Sequence, residues 1–307
     1  MSELIGLSLV TLLNAQIKRS QMLLVRVKKE EHLSLTKKRE LCLIIVKKDS
    51  VVTTTPAGRK ELESKENTDW RWAAGGGLMM LELKDVTVAL ARFRDPGAPS
   101  WGGHYTLGSG LSGSIRDLMF PVELAVREAV EEFIIATPKG LIVPVFNKDE
   151  DRVYNQTALG AVASGLNLIR QKPGLPDVFR QNGFFTAPAE FVPLSPILEA
   201  DLSVMFEGCD EMTNSSGLLV YDPGTRGIDL IRLIRVKLPF SLGEIAIFDG
   251  EANRQEQPLD GEVVCFPVQN GRFTTDIVET FKTGKRVSTP DYPVRFTPPL
   301  QAVIEAM

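Results

Sequence analysis

One amphipathic segment set among β-rich runs constrains this chain more than any other feature. In Phe120-Pro-Val-Glu-Leu-Ala-Val-Arg-Glu-Ala-Val-Glu-Glu-Phe-Ile-Ile135, Val122, Ala125, Val126, Ala129, Val130 and Phe133 recur at i, i+3, i+4, i+7, i+8 and i+11. That spacing makes one apolar stripe, which must face a core. Pro121 suits a first helical turn, where its missing N–H costs no hydrogen bond. The spacing therefore predicts a helix from Pro121 to about Ile135. Glu128, Glu131 and Glu132 fall at i, i+3 and i+4, three carboxylates within one arc of the surface. Each like-charge pair at that spacing disfavours an isolated helix by roughly 0.2–0.5 kcal/mol. Such a cluster is either a solvated acidic face or a place where a hard divalent cation is held by oxygen ligands. Arg127 stands one turn from both Glu123 and Glu131 and can pair with either.

The surrounding sequence supplies the sheet. Leu41–Val46 and Val51–Thr55 read as a hairpin, as do Leu78–Leu83 and Val86–Phe93 joined at Lys84-Asp85. Further strands are expected at 140–146, 217–222, 228–238, 243–248 and 262–268. Residues 4–30 read as a helix leading into something extended, helices are expected at about 157–171, 274–283 and 298–306, and residues 59–67 read as a linker or short helix. Arg94–Ser114 is glycine-rich and reads as loop, Gly75-Gly-Gly77 as turn, and 172–215 as an irregular, proline-containing stretch. Strands before, between and after a few helices argue for an α+β or mixed α/β fold, not a doubly wound parallel sheet. No internal repeat is visible.

Composition narrows the class. With 307 residues, 43% hydrophobic and 24% charged, the chain has the balance of a globular protein. Lys plus Arg number 35 against 39 acids, so no chain-wide basic field drives nucleic-acid binding. Lys282, Lys285 and Arg286 form a small basic cluster that reads as solvated. The apolar run Leu4–Ala15 is too short to span a bilayer and lacks a positive leader. Cys42, Cys209 and Cys265 are widely separated, which argues against a disulfide framework or a zinc site. A cytoplasmic location without membrane contact follows as the expectation. Only His32 and His104 are present, so a histidine-rich centre is not expected. Trp70, Trp72 and Trp101 could stack a base, though burial in a core or interface is the commoner use of tryptophan.

The run Arg127-Glu-Ala-Val-Glu-Glu-Phe-Ile-Ile135, behind a glycine-rich loop and a β-hairpin, resembles the Nudix box, G-x5-E-x7-R-E-U-x-E-E-x-G-U with U aliphatic. Gly113 falls on the first glycine, and Arg127, Glu128, Glu131, Glu132 and Ile135 fall on their positions, across the 23 residues from Gly113 to Ile135. Ala129 stands at the first aliphatic position. Tyr105-Thr-Leu-Gly-Ser-Gly110 is similar to the family's aromatic-x-Leu-Pro-Gly-Gly strand end. Two positions depart: Met119 replaces the first glutamate and Ile134 the late glycine. Asp117 and Glu123 are the nearby acids that could stand in for the former.

The resemblance implies a Nudix-like α/β/α sandwich with a mixed sheet over residues 75–290, with an N-terminal extension at 1–74, an insertion at about 150–215 and a tail at 291–307. It implies attack of water on a phosphoanhydride of a nucleoside diphosphate derivative with Mg²⁺ or Mn²⁺ bound. Glu131 and Glu132 would be metal ligands, Glu128 a ligand or base, and Arg127 the residue that orients them. Family members often draw another carboxylate from a later loop, here Glu251 with Glu244 behind it. Gly110, Gly113 and His104 would line the substrate, and a homodimer is common in the family. The alternative is a Nudix-like nucleotide-binding or regulatory protein without turnover, which Met119 in place of the glutamate would produce.

Overall fold

The computed structural model describes residues 43–47, 50–54, 70–98, 101–111, 121–147, 152–172, 183–192, 218–222, 227–251 and 259–306. The expected helix at 4–30, the segment 59–67, Cys42 and Cys209 lie outside these. The fold is mixed α/β, a sheet-rich and nearly closed, barrel-like mixed sheet with few helices.

Strands β1 (Leu43–Lys47) and β2 (Ser50–Thr54) form the first expected hairpin, and β1 also pairs with the start of β3 (Trp70–Glu82). β3 turns into β4 (Thr87–Phe93) as the second expected hairpin. Gly75–Gly77 lie inside β3, not in a turn, so this strand is longer than its apolar part. Within the stretch read as loop, β5 (Tyr105–Thr106) pairs with β4 and β6 (Gly108–Leu111) pairs with Ala74–Gly77 of β3. Gly108-Ser-Gly110 leaves no periodic signal for a strand, and Tyr105–Thr106 is too short to give one.

Helix α1 (Pro121–Glu132) passes directly into β7 (Phe133–Thr137). The expected helix is thus three residues too long. Phe133, Ile134 and Ile135 continue the apolar pattern, but aromatic and β-branched residues suit a strand better. β8 (Gly140–Phe146), α2 (Arg152–Gln171) and β9 (Phe184–Val192) follow as a strand-helix-strand crossover, with β8 and β9 parallel. β9 falls in the stretch expected to be irregular. It alternates exposed and buried residues, and Pro188 within it weakens the sequence signal for a strand.

β10 (Leu218–Asp222) and β11 (Gly227–Lys237) form a hairpin, and β11 runs parallel to β3 from Gly227↔Trp72 to Lys237↔Glu82. A 3₁₀ turn (Leu242–Glu244) precedes β12 (Ala246–Asp249), followed by β13 (Glu262–Gln269) and β14 (Arg272–Phe273). Where a helix was expected at 274–283, the chain forms β15 (Glu279–Lys282), hairpinned to β16 (Lys285–Val287). The last element is α3 (Pro298–Ala306), as expected.

The sheet runs in the order β12-β7-β8-β9-β11-β3-β4-β13-β15-β16. Its two ends approach each other, β12 packing against β13 and β15. Ile247 and Phe248 of β12 and Phe281 of β15 join one core with α1 and α2, as a sheet curled around a single interior demands. A second core on the other face takes Leu300 and Val303 of α3. Among the described residues no helix is long and apolar enough to cross a membrane.

Candidate active site

α1 lies almost on the backbone of the sheet, and glycines make this approach sterically allowed. A Cβ on Gly77 would stand 2.6 Å from the Ala125 carbonyl oxygen and 2.7 Å from the Ala129 Cβ. One on Gly108 would stand 2.7 Å from the Ala129 Cα. Gly110 performs the same service for a side chain, since its Cβ would sit 2.4 Å from the Glu128 Cδ. The small residues of β3, β6 and α1 thus form one contact surface. Val122, Leu124, Ala125, Val126, Ala129 and Val130 are all buried. Leu124 lies off the expected apolar stripe, so the solvent-facing side of the helix is narrower than its sequence suggests.

The three glutamates consequently meet three different environments. Glu132, only 2% exposed, faces Arg92 on β4. Arg92 Nη2 donates to Glu132 Oε1 at 2.9 Å, Nε lies 2.9 Å from Oε2, and the Ser109 backbone N–H donates to Oε2 at 3.1 Å. Asp249, fully buried at the end of β12, stands 3.8 Å from Arg92 Nη1. Burial works against the guanidinium charge, but Glu132 and Asp249 outweigh it and hold the Arg92 pKa above its usual value. Burial outweighs Arg92 at Glu132, whose pKa is pushed up to about 7.

Glu128 is half-buried against Gly110. Its pKa is raised by burial, opposed by Arg127 and reinforced by Glu131. Arg127 Nη2 donates to Glu128 Oε1 at 3.2 Å, and its Nε does so at 3.3 Å. Glu123 accepts a hydrogen bond from Thr157 of α2 at 3.2 Å. Glu131 stays partly exposed on the rim.

Glu251 reaches this place through the turn after β12. The Gly250 N–H donates to the Glu132 carbonyl at 3.0 Å, closing the last turn of α1. A Cβ on Gly250 would lie 1.9 Å from the Glu131 carbonyl oxygen. The Glu251 N–H donates to Asp249 Oδ1 at 2.9 Å. From there the Glu251 charge acts on Glu128, Glu132 and Arg92. A helix C-terminus needs partners for its final carbonyls, and here a distant segment supplies one.

The structure thus brings Arg127, Glu128, Glu131, Glu132, Gly110 and Glu251 to one end of α1. His104 sits at the bend before β5, its ring edge-on to Trp101 and its Nδ1 3.2 Å from the Gly102 carbonyl. Glu244 does not join the group: exposed, it accepts from the Ser241 N–H and hydroxyl at 2.8 Å. Gly113, Asp117 and Met119 lie outside the described residues. Sequence reading missed Arg92, Asp249 and Gly250. For Arg92 a signal existed, because Val88, Leu90 and Arg92 share one face of a strand whose other face is also apolar. A charge there is buried and must be paired.

A pH dependence follows. Glu132 binds its proton more tightly in the folded chain, with a pKa of about 7 against an ordinary value near 4.5. This contribution to stability is complete below pH about 4.5 and is lost as pH rises through 7, at most about 3 kcal/mol. Urea unfolding at pH 5 and pH 7.5 should show that loss in the wild type and a much flatter response in Glu132→Gln. Equal slopes in the two proteins would contradict it.

Searches against family models, curated proteins and solved structures return no match to this chain.

Proposed function

We propose that the protein is a divalent-cation-dependent hydrolase of a phosphoanhydride bond in a nucleoside diphosphate derivative, built on a Nudix-like α/β/α arrangement. The observation that carries this reading is the convergence of Glu251 with the α1 carboxylates at a partly open rim. A plain acidic helix face would have no reason to gather another carboxylate from a distant turn, where like charges repel.

The donor chemistry fits a hard cation. Glu128 and Glu131, joined by Glu251, offer only oxygen. Among the described residues no three His, Cys, Asp or Glu side chains converge into a ready cage, and Mg²⁺ is commonly held by one or two carboxylates together with water and substrate phosphates. When bound, Mg²⁺ or Mn²⁺ supplies neutralisation of phosphate charge and activation of water. The chain supplies the rest. Glu128, whose pKa burial raises, is a stronger base than an exposed carboxylate and can take a proton from an attacking water. Arg127 holds that carboxylate in place, and Gly110 leaves room for it. Met119, in place of the first motif glutamate, favours a second reading, a nucleotide-binding protein without turnover.

A panel of sugar nucleotides, dinucleotides, ADP-ribose, NADH and nucleoside triphosphates, assayed for nucleotide and phosphate release with Mg²⁺ or Mn²⁺, tests both. The hydrolase reading expects one class to turn over and Glu131→Gln to lower kcat/KM about 100-fold with unchanged folding. Equal rates in the variant would overturn the carboxylate mechanism. Nucleotide binding without consumption across the panel would establish the second reading.

A further inference from the structure

Glu132 occupies a position where the resemblance places a metal-holding carboxylate, yet its surroundings are those of a closed ion pair. Both its oxygens already face cationic or N–H partners, Arg92 and the Ser109 backbone, in a pocket where Glu132 and Arg92 are 2% and 7% exposed. A cation reaching Glu132 would have to displace a buried guanidinium already bonded to its carboxylate. Arg92 also faces a second buried carboxylate, Asp249, whose Oδ1 accepts the Glu251 N–H. The turn between them is fixed to the same helix end through Gly250 and the Glu132 carbonyl.

We infer that Glu132 is the fixed end of a buried Arg92–Glu132–Asp249 clamp rather than a cation ligand, and that Arg92 is a positioning residue that sets where Glu251 enters the site. The positioning role rests on the hydrolase reading; the clamp does not. The contacts run from β4 through Arg92 to Asp249, and from Asp249 to the Glu251 backbone. The planar fork of Arg92 spans two carboxylates at once, which a lysine, a single point charge, does not reproduce.

The test measures Mn²⁺ affinity of the unliganded full chain alongside urea unfolding. Glu132→Gln should keep the Mn²⁺ Kd within about threefold while lowering the unfolding midpoint. Glu131→Gln should raise the Kd about tenfold or more with the midpoint unchanged. Asp249→Ala, which removes the Glu251 N–H acceptor, should also raise the Kd about tenfold. In a double-mutant cycle, Arg92→Met with Glu132→Gln should be far less destabilised than the two single changes summed. If Arg92→Met does not fold, Arg92→Lys takes its place in the cycle.

Loss of Mn²⁺ binding in Glu132→Gln with an unchanged midpoint would make Glu132 a ligand and overturn the inference. Additive effects in the cycle would overturn the clamp. A wild type that binds no Mn²⁺ and hydrolyses nothing removes the hydrolase reading and the positioning role together, and the cycle then decides the clamp alone.

Discussion

Arg92→Met should lower the unfolding free energy by about 3–5 kcal/mol at neutral pH, the range for removing one partner of a buried ion pair. Methionine fills much of the volume but leaves Glu132 and Asp249, at 2% and 0% exposure, without the cation they share. Two carboxylates so placed cannot both stay ionised, and at least one takes up a proton. The deficit should therefore shrink in acid, where the carboxylates are neutral without Arg92. Urea titrations of wild type and variant at pH 5 and pH 7.5 measure both effects. A loss below about 1 kcal/mol, typical of an exposed pair, would mean that the guanidinium does not hold these acids together.

Gly250→Ala should cost about 3 kcal/mol, combining overpacking with a weakened hydrogen bond. The backbone at Gly250 is not in the left-handed region, so alanine has no conformational objection to the site. The obstacle is the Glu131 carbonyl oxygen, 1.9 Å from where the new Cβ would lie. That atom belongs to a helix backbone and cannot swing aside as a side chain would. Relief requires the turn to lift from α1, stretching the Gly250 N–H to Glu132 carbonyl bond and carrying Glu251 outward. Thermal unfolding together with Mn²⁺ titration reads both consequences. A variant as stable as wild type would show that the turn moves away at little cost.

Most of the secondary structure was legible because its signals are local. The β3–β4 hairpin, β8, β11, β13, α3 and most of α1 follow from alternation or helical spacing. The errors share a cause, namely that partners far away in sequence decided the outcome. Gly75–Gly77 and Gly108–Gly110 carry turn chemistry by themselves, but α1 needs a floor without side chains, so they became strands. β9 shows only weak alternation and acquires its strand from β8 and β11 on either side. Residues 274–283 carry a helical expectation, whereas the ladder from β13 extends to Glu279–Lys282. At the candidate site, the three glutamates were visible as a cluster, but their separation into one buried and two rim-facing groups depends on Arg92, which lies on another strand. The end of α1 was also hidden, because its closing N–H comes from Gly250 and not from a local glycine.

The parallel pairing of β3 with β11 has a consequence for how the chain is made. The ribosome releases β3 well before β11 exists, and a parallel pair cannot form through a short hairpin. Until then, among the described residues, Trp70–Gly77 of β3 has β1 and the small residues of β6 beside it, and its glycines contribute little apolar area to hold an early intermediate. Closure must wait for late synthesis and for a large loop to be drawn in, a step that topology makes slow. During that interval the nascent chain presents an unpaired strand edge, the kind of surface that chaperones shield and that otherwise seeks another copy of itself.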